Sequence, residues 1–173
     1  MLEINFYDPN PDGSEVVLFL HGLGADGTSW YPQLEVLPQK GYRPVAIDTP
    51  GFGESEYDGC GWSFRRIANI ISDFLLKYDF GPVSVVGLSL GGVIAQQLVL
   101  DYPALVKRMV LVSTLSALRP ENFSQLFYFI QRMILLHVFG LRAQARIVAG
   151  RVFPNPDQVG IREMAIEMIS RAN

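Results

Sequence analysis

At 173 residues, nearly half of them hydrophobic and only 18% charged, the chain can bury one full core and is not a disordered segment. Its net charge of −3 offers no electrostatic footprint for nucleic acid. A single cysteine, Cys60, excludes an internal disulfide and cannot by itself hold a metal. No basic stretch followed by an apolar one opens the chain, so no secretory signal is read and the cytoplasm is the expected location.

In chain order, residues 1–7 alternate loosely through Leu2, Ile4 and Phe6, as an edge strand would. A turn cluster, Pro9 to Gly13, precedes the continuous apolar run Val16–Leu20, the mark of a strand buried on both faces. His21-Gly22-Leu23-Gly24 follows at once. Ser29 is the expected cap of a helix carrying Trp30, Leu34 and Leu37 on one face and ending at Gly41. Pro44–Ile47 reads as the next strand, and Asp48 to Gly61 as loop. Ser63 caps a helix whose Phe64, Ile67, Ala68, Ile71, Phe74, Leu75 and Tyr78 share a face, and Gly81-Pro82 stops it. Val83–Val86 is a strand, Gly87-Leu88-Ser89-Leu90-Gly91 a turn, and the helix after it runs to about Pro103. Met109–Val112 is the last strand pattern. Strands alternating with helices give an α/β fold with a mainly parallel sheet flanked by helices.

After Ser113 the pattern is helical: an apolar stretch Leu126–Phe139, a short helix Leu141–Val148, and a helix Asp157–Arg171 with Ile161, Met164, Ala165 and Met168 on one face. The expected organisation is a core over 1–118 and a helical lid over 119–173. Leu126–Phe139 is broken by Gln131, Arg132 and His137 and falls short of about 18 uninterrupted apolar residues, so no stable membrane span is expected. A lid helix lining an apolar pocket is one account of it, and a helix lying on a membrane surface is the other.

Two motifs carry chemistry. In Gly-x-Ser-x-Gly after a strand and before a helix, Gly87 and Gly91 lack the Cβ atoms that would clash where strand and helix meet. Ser89 then stands at the apex beside the first free N–H groups of the helix. Gly22-Leu23-Gly24-Ala25-Asp26-Gly27 is formally Gly-x-Gly-x-x-Gly, with Asp48 about twenty residues on, which is the dinucleotide fingerprint. That reading runs a helix unbroken through Pro32, at about 3 kcal/mol, and leaves Ser89 unexplained.

Together these stretches resemble the α/β-hydrolase fold family, and Gly87 to Thr114 is similar to its lactonase, esterase and carbon–carbon hydrolase branch. The resemblance implies a Ser89 nucleophile with no cofactor and no metal. It makes the backbone N–H groups of Leu23 and Leu90 the oxyanion donors, and His21, Gly22, Gly87 and Gly91 the supporting turns. It implies a small ester, lactone or related acyl substrate, and the apolar Leu126, Phe127, Phe129, Ile130 and Met133 point to an apolar portion on it.

The family's acid and histidine follow two later strands, and neither strand pattern is present here. Of the two histidines, His21 belongs to the oxyanion loop and His137 to the apolar stretch. The expectation is therefore a hydrolase lacking its C-terminal segment, inactive or weak alone. Its Met109–Val112 edge would be open to a second copy or a completing chain. A catalytically dead or partner-completed binding module is the competing reading, and a dinucleotide-binding domain the third.

Overall fold

Side chains of a strand alternate between its two faces, so a run that is apolar at every position requires cover on both. Val16–Leu20 is such a run, and its two faces organise the computed structural model of this chain, which describes residues 2–116, 127, 142–143 and 145–170. The chain divides into two compact units, one up to residue 117 and one from 118 to 172. Strands of the first are β1 (Phe6–Tyr7), β2 (Glu15–Leu20), β3 (Tyr42–Ile47), β4 (Val83–Leu88) and β5 (Val106–Val112). They form one sheet in the order β1-β3-β2-β4-β5. All neighbours are parallel except β1, which runs antiparallel to β3. Leu20 of β2 stands level with Ile47 on one side and Gly87 on the other.

Three helices cover the sheet: α1 (Tyr31–Val36), α2 (Phe64–Lys77) and α3 (Leu90–Asp101). Leu18, Leu20, Val45, Ile47, Val83 and Val85 point to one face and pack with Ile67, Ile71 and Leu75 of α2 and Ile94 and Leu98 of α3. The intervening Val17, Phe19 and Ala46 point to the other face and meet Trp30 and Leu34. Each large aliphatic side chain in these layers contributes roughly 1.5–3 kcal/mol by leaving water. The period-2 pattern thus decides which residue belongs to which layer.

The helix expected from Ser29 starts two residues later. Asp26 takes the capping role, its carboxyl accepting the Thr28 N–H at 2.9 Å and the Thr28 hydroxyl, and a 3₁₀ turn spans Gly27–Trp30. Ser29 instead donates its hydroxyl to the Asp26 carbonyl at 2.7 Å. A carboxyl three positions earlier reaches the first free amide before a serine hydroxyl can. Pro32 then falls in the first turn of α1, where it disturbs nothing. By contrast Ser63 caps α2 as expected, accepting the Arg66 N–H at 3.2 Å.

Strand β5 begins three residues before its apolar pattern does. Lys107 and Arg108 interrupt the pattern but reach across to Glu15 at 3.3 and 2.6 Å. Met109, Val110, Leu111 and Val112 remain between 37% and 51% exposed, and among the described residues β5 pairs with β4 alone. No strand follows it among the described residues.

In the second unit, residues 145–152 are helical (α4) and Val159–Ser170 forms α5. Asn155 and Gln158 make a reciprocal capping box before α5, and Arg162 donates to the carbonyls of Phe153 and Asn155 at 2.6 and 2.9 Å. Apart from residue 127, the helix expected over Leu126–Phe139 lies outside the described residues, as does the side chain of Met168.

Asp48, at the end of β3, joins three segments of the first unit. It is fully buried, and its carboxyl accepts N–H groups of Gly27 at 2.7 Å, Asn5 Nδ2 at 2.9 Å and Glu54 at 2.9 Å. The Asp48→Ala variant leaves buried donors without partners, so its urea unfolding should show a stability loss of about 2–4 kcal/mol.

Candidate active site

In an open parallel sheet a crevice forms where successive connections leave in opposite directions. Here β2 connects to β3 on one side, and β3 crosses to β4 on the other, so the crevice lies at the carboxyl ends of β2 and β4. His21-Gly22 follows β2 and Ser89 follows β4, which brings the two sequence motifs together there. A Cβ built at Gly22 would lie 3.6 Å from the Ser89 Cβ.

Ser89 is exposed and has φ +51° and ψ −111°, in the left-handed half of backbone space that a non-glycine residue enters at a cost of about 1–3 kcal/mol. The conformation survives because its surroundings determine it. A Cβ at Gly87 would stand 2.5 Å from the Gly91 carbonyl oxygen, and one at Gly91 only 2.2 Å from that of Leu20. The start of α3 therefore lies directly on the backbones of β4 and β2. The Ser89 N–H donates to the Val112 carbonyl at 2.9 Å. The Ser89 carbonyl accepts from the Thr114 hydroxyl at 2.6 Å and from the N–H groups of Gly92 and Val93 at 3.0 and 3.3 Å.

His21 is fully buried. Its Nε2 accepts the Thr49 N–H at 2.9 Å, with the Thr49 hydroxyl equally near. The ring proton therefore sits on Nδ1, which donates to the Gly22 carbonyl at 2.8 Å. Burial pushes the imidazole below its ordinary pKa, and the Gly22 contact opposes this only in part, so the ring is neutral at pH 7. The Gly22 carbonyl also accepts the Ala25 N–H at 3.2 Å. In a trans peptide the N–H points opposite to the carbonyl, so the Leu23 N–H is turned away from the His21 ring. Neither Leu23 nor Leu90 donates its backbone N–H to a carbonyl among the described residues. Leu90 opens α3 and so lies at the positive end of a helix.

The Asp48 carboxyl is taken up by donors from Asn5, Gly27 and Glu54. Thr49, Val112 and Thr114 were not foreseen, since they act through hydrogen bonds from separate strands that no local pattern announces. His137 lies outside the described residues, and His21 is the one histidine within them. The same residues contain no group of three side chains that could hold a metal ion and no helix long and apolar enough to cross a membrane.

A mainly parallel sheet wound to both sides, with a glycine-flanked serine turn at its switch point, defines an α/β protein with its site at the strand ends. The chain belongs to the alpha/beta hydrolase fold family, whose model matches residues 15–147. Over 101 residues it is 38% identical to the dihydrolipoyllysine-residue acetyltransferase component of the acetoin cleaving system of Cupriavidus necator, covering 58% of this chain and 27% of that protein. Over 98 residues it is 35% identical to the poly(3-hydroxyalkanoate) depolymerase of Ectopseudomonas oleovorans, covering 57% of this chain and 34% of that one. An esterase from Exiguobacterium antarcticum matches its fold with a TM-score of 0.85 at 18% identity, over 99% of this chain and 65% of the other. The enol-lactonase of Burkholderia xenovorans LB400 does so with a TM-score of 0.81 at 20% identity, over 99% and 65%. The chain thus spans about a third or less of these curated relatives and about two thirds of these solved structures.

Two measurements test the geometry. Gly91→Ala drives a methyl group into the Leu20 carbonyl and should destabilise the chain by about 3 kcal/mol or more in thermal unfolding. His21 binds its proton less readily folded than unfolded, so its contribution is complete above pH 6.5 and is lost as the pH falls toward its depressed value. The unfolding free energy from urea titrations should therefore drop between pH 7 and 5.5, by up to about 1.4 kcal/mol per pH unit, and His21→Asn should remove that slope.

Proposed function

We propose that the chain carries the nucleophile and oxyanion donors of a serine hydrolase acting on an ester, lactone or related acyl bond. The observation behind this reading is the strained, exposed Ser89 at the carboxyl ends of β2 and β4, next to Gly22. The Ser89 hydroxyl would attack the acyl carbon, and the N–H groups of Leu23 and Leu90 would take the negative charge that develops on oxygen. His21, Gly22, Gly87 and Gly91 hold the two donors in place and take no part in proton transfer. The esterase and enol-lactonase folds and the depolymerase relative favour an acyl bond as the target.

A serine needs a base, and the one imidazole among the described residues has both nitrogens engaged. We therefore propose that the 173-residue chain alone turns over weakly or not at all. A segment bringing an imidazole and a carboxylate along the open edge of β5 would supply the missing proton acceptor. A fluorophosphonate probe at millimolar concentration should modify the chain within hours, at Ser89 by peptide mass spectrometry, and Ser89→Ala should stay unmodified. Equal modification of both, or none of either, would leave only a binding module on the same fold. Hydrolysis of p-nitrophenyl acetate by the chain alone should stay within about 10³–10⁴ of the water rate.

A further inference from the structure

Ser89 is gripped on both sides by the end of β5 and the loop that follows it. Its N–H donates to the Val112 carbonyl at 2.9 Å, and its carbonyl accepts the Thr114 hydroxyl at 2.6 Å. Val112 ends β5, and Ser113 between the two contacts turns back with φ +44°. The Thr114 side chain sits directly on the first turn of α3, where a Cβ at Gly92 would come within 2.5 Å of it. Gln96, one turn further along, donates to the Leu115 carbonyl at 2.9 Å and holds the same loop.

We propose that Thr114 is a positioning residue for the oxyanion donor at Leu90, an inference that rests on the acyl-transfer reading of Ser89. The Ser89 carbonyl and the Leu90 N–H belong to one trans peptide and point in opposite directions. Whatever fixes the carbonyl aims the N–H. The helix contributes N–H bonds from Gly92 at 3.0 Å and Val93 at 3.3 Å, both from its own first turn. The Thr114 hydroxyl is the shortest of the three donors and comes from outside the helix, in the loop that follows β5. It performs at this peptide the task that the His21 ring performs at Gly22–Leu23. The two donors are thus aimed by two unrelated side chains, each bonded to the carbonyl behind the working N–H. An oxyanion donor displaced by a fraction of an ångström loses most of its effect, because the stabilisation depends on the donor being aimed beforehand.

The test is the rate of Ser89 modification by a fluorophosphonate, measured over a range of probe concentrations for the wild-type chain and three variants. Thr114→Ala and Thr114→Val remove the hydroxyl, one without adding bulk and one with similar shape. Both should lower the maximal rate about tenfold or more while leaving the half-saturating probe concentration within about twofold. Thr114→Ser keeps the hydroxyl and should stay within about twofold of wild type. Thermal unfolding of each variant separates a folded slow chain from an unfolded one, and Thr114→Ala serves if Thr114→Val does not fold. Wild-type rates in the alanine and valine variants overturn the proposal, as does a serine variant as slow as alanine, which would assign the effect to packing of the methyl group. A wild-type chain that is never modified at Ser89 overturns the acyl-transfer reading and this proposal together, whereas unaffected variants of a reactive wild type overturn this proposal alone.

Discussion

The first unit is organised around one residue held in a conformation it would not choose. Ser89 occupies a backbone region that favours glycine, between a strand that must end and a helix that must begin. The strain is sustained by contact of backbone with backbone: Gly87 against Gly91, and Gly91 against Leu20. A side chain at either position would wedge α3 away from the sheet and let Ser89 relax. The layers on both sides of β2 supply the free energy that holds this contact closed, since Leu18 and Leu20 anchor the central strand while Ile94 and Leu98 anchor the helix. Core packing and site geometry are therefore one problem in this chain.

The electrostatics follow from how carbonyls are used. The Gly22–Leu23 and Ser89–Leu90 peptides each have their carbonyl bonded, one by the His21 ring and the other by Thr114. Because His21 is neutral and fully buried, it fixes its peptide without adding a titrating charge near Ser89. In the proposed acyl transfer, fixed peptide dipoles would stabilise the developing anion without reorienting as it forms, whereas water would have to.

Much of this was legible in the residues and some was not. The strand–turn–helix order around Ser89 announced itself, because three constraints coincide there: a β-branched run, two glycines at fixed spacing and a helical pattern behind them. The parallel sheet followed from β2, whose unbroken apolar run admits cover on both faces. Pro32 correctly separated a loop-then-helix from a dinucleotide-binding helix, although Asp26 caps the 3₁₀ turn before α1 and Ser29 caps neither. The start of β5 was hidden by Lys107 and Arg108, whose charges read as loop until Glu15 is seen opposite them. The clamps were beyond local reading. Thr49 and Thr114 are ordinary residues in sequence and matter only because parallel pairing carries β3 and β5 to the same end of the sheet as β2 and β4.

The contact between Gly91 and the Leu20 carbonyl has a further meaning for how such a site can change. The spacing between the turn at Ser89 and the end of β2 is set by contact of main chain with main chain at Gly91. Substitution therefore has no graded adjustment to offer at this position. Selection can reshape the rim of the crevice, where Leu23 stands largely in solvent, but the central dimension is inherited whole or lost.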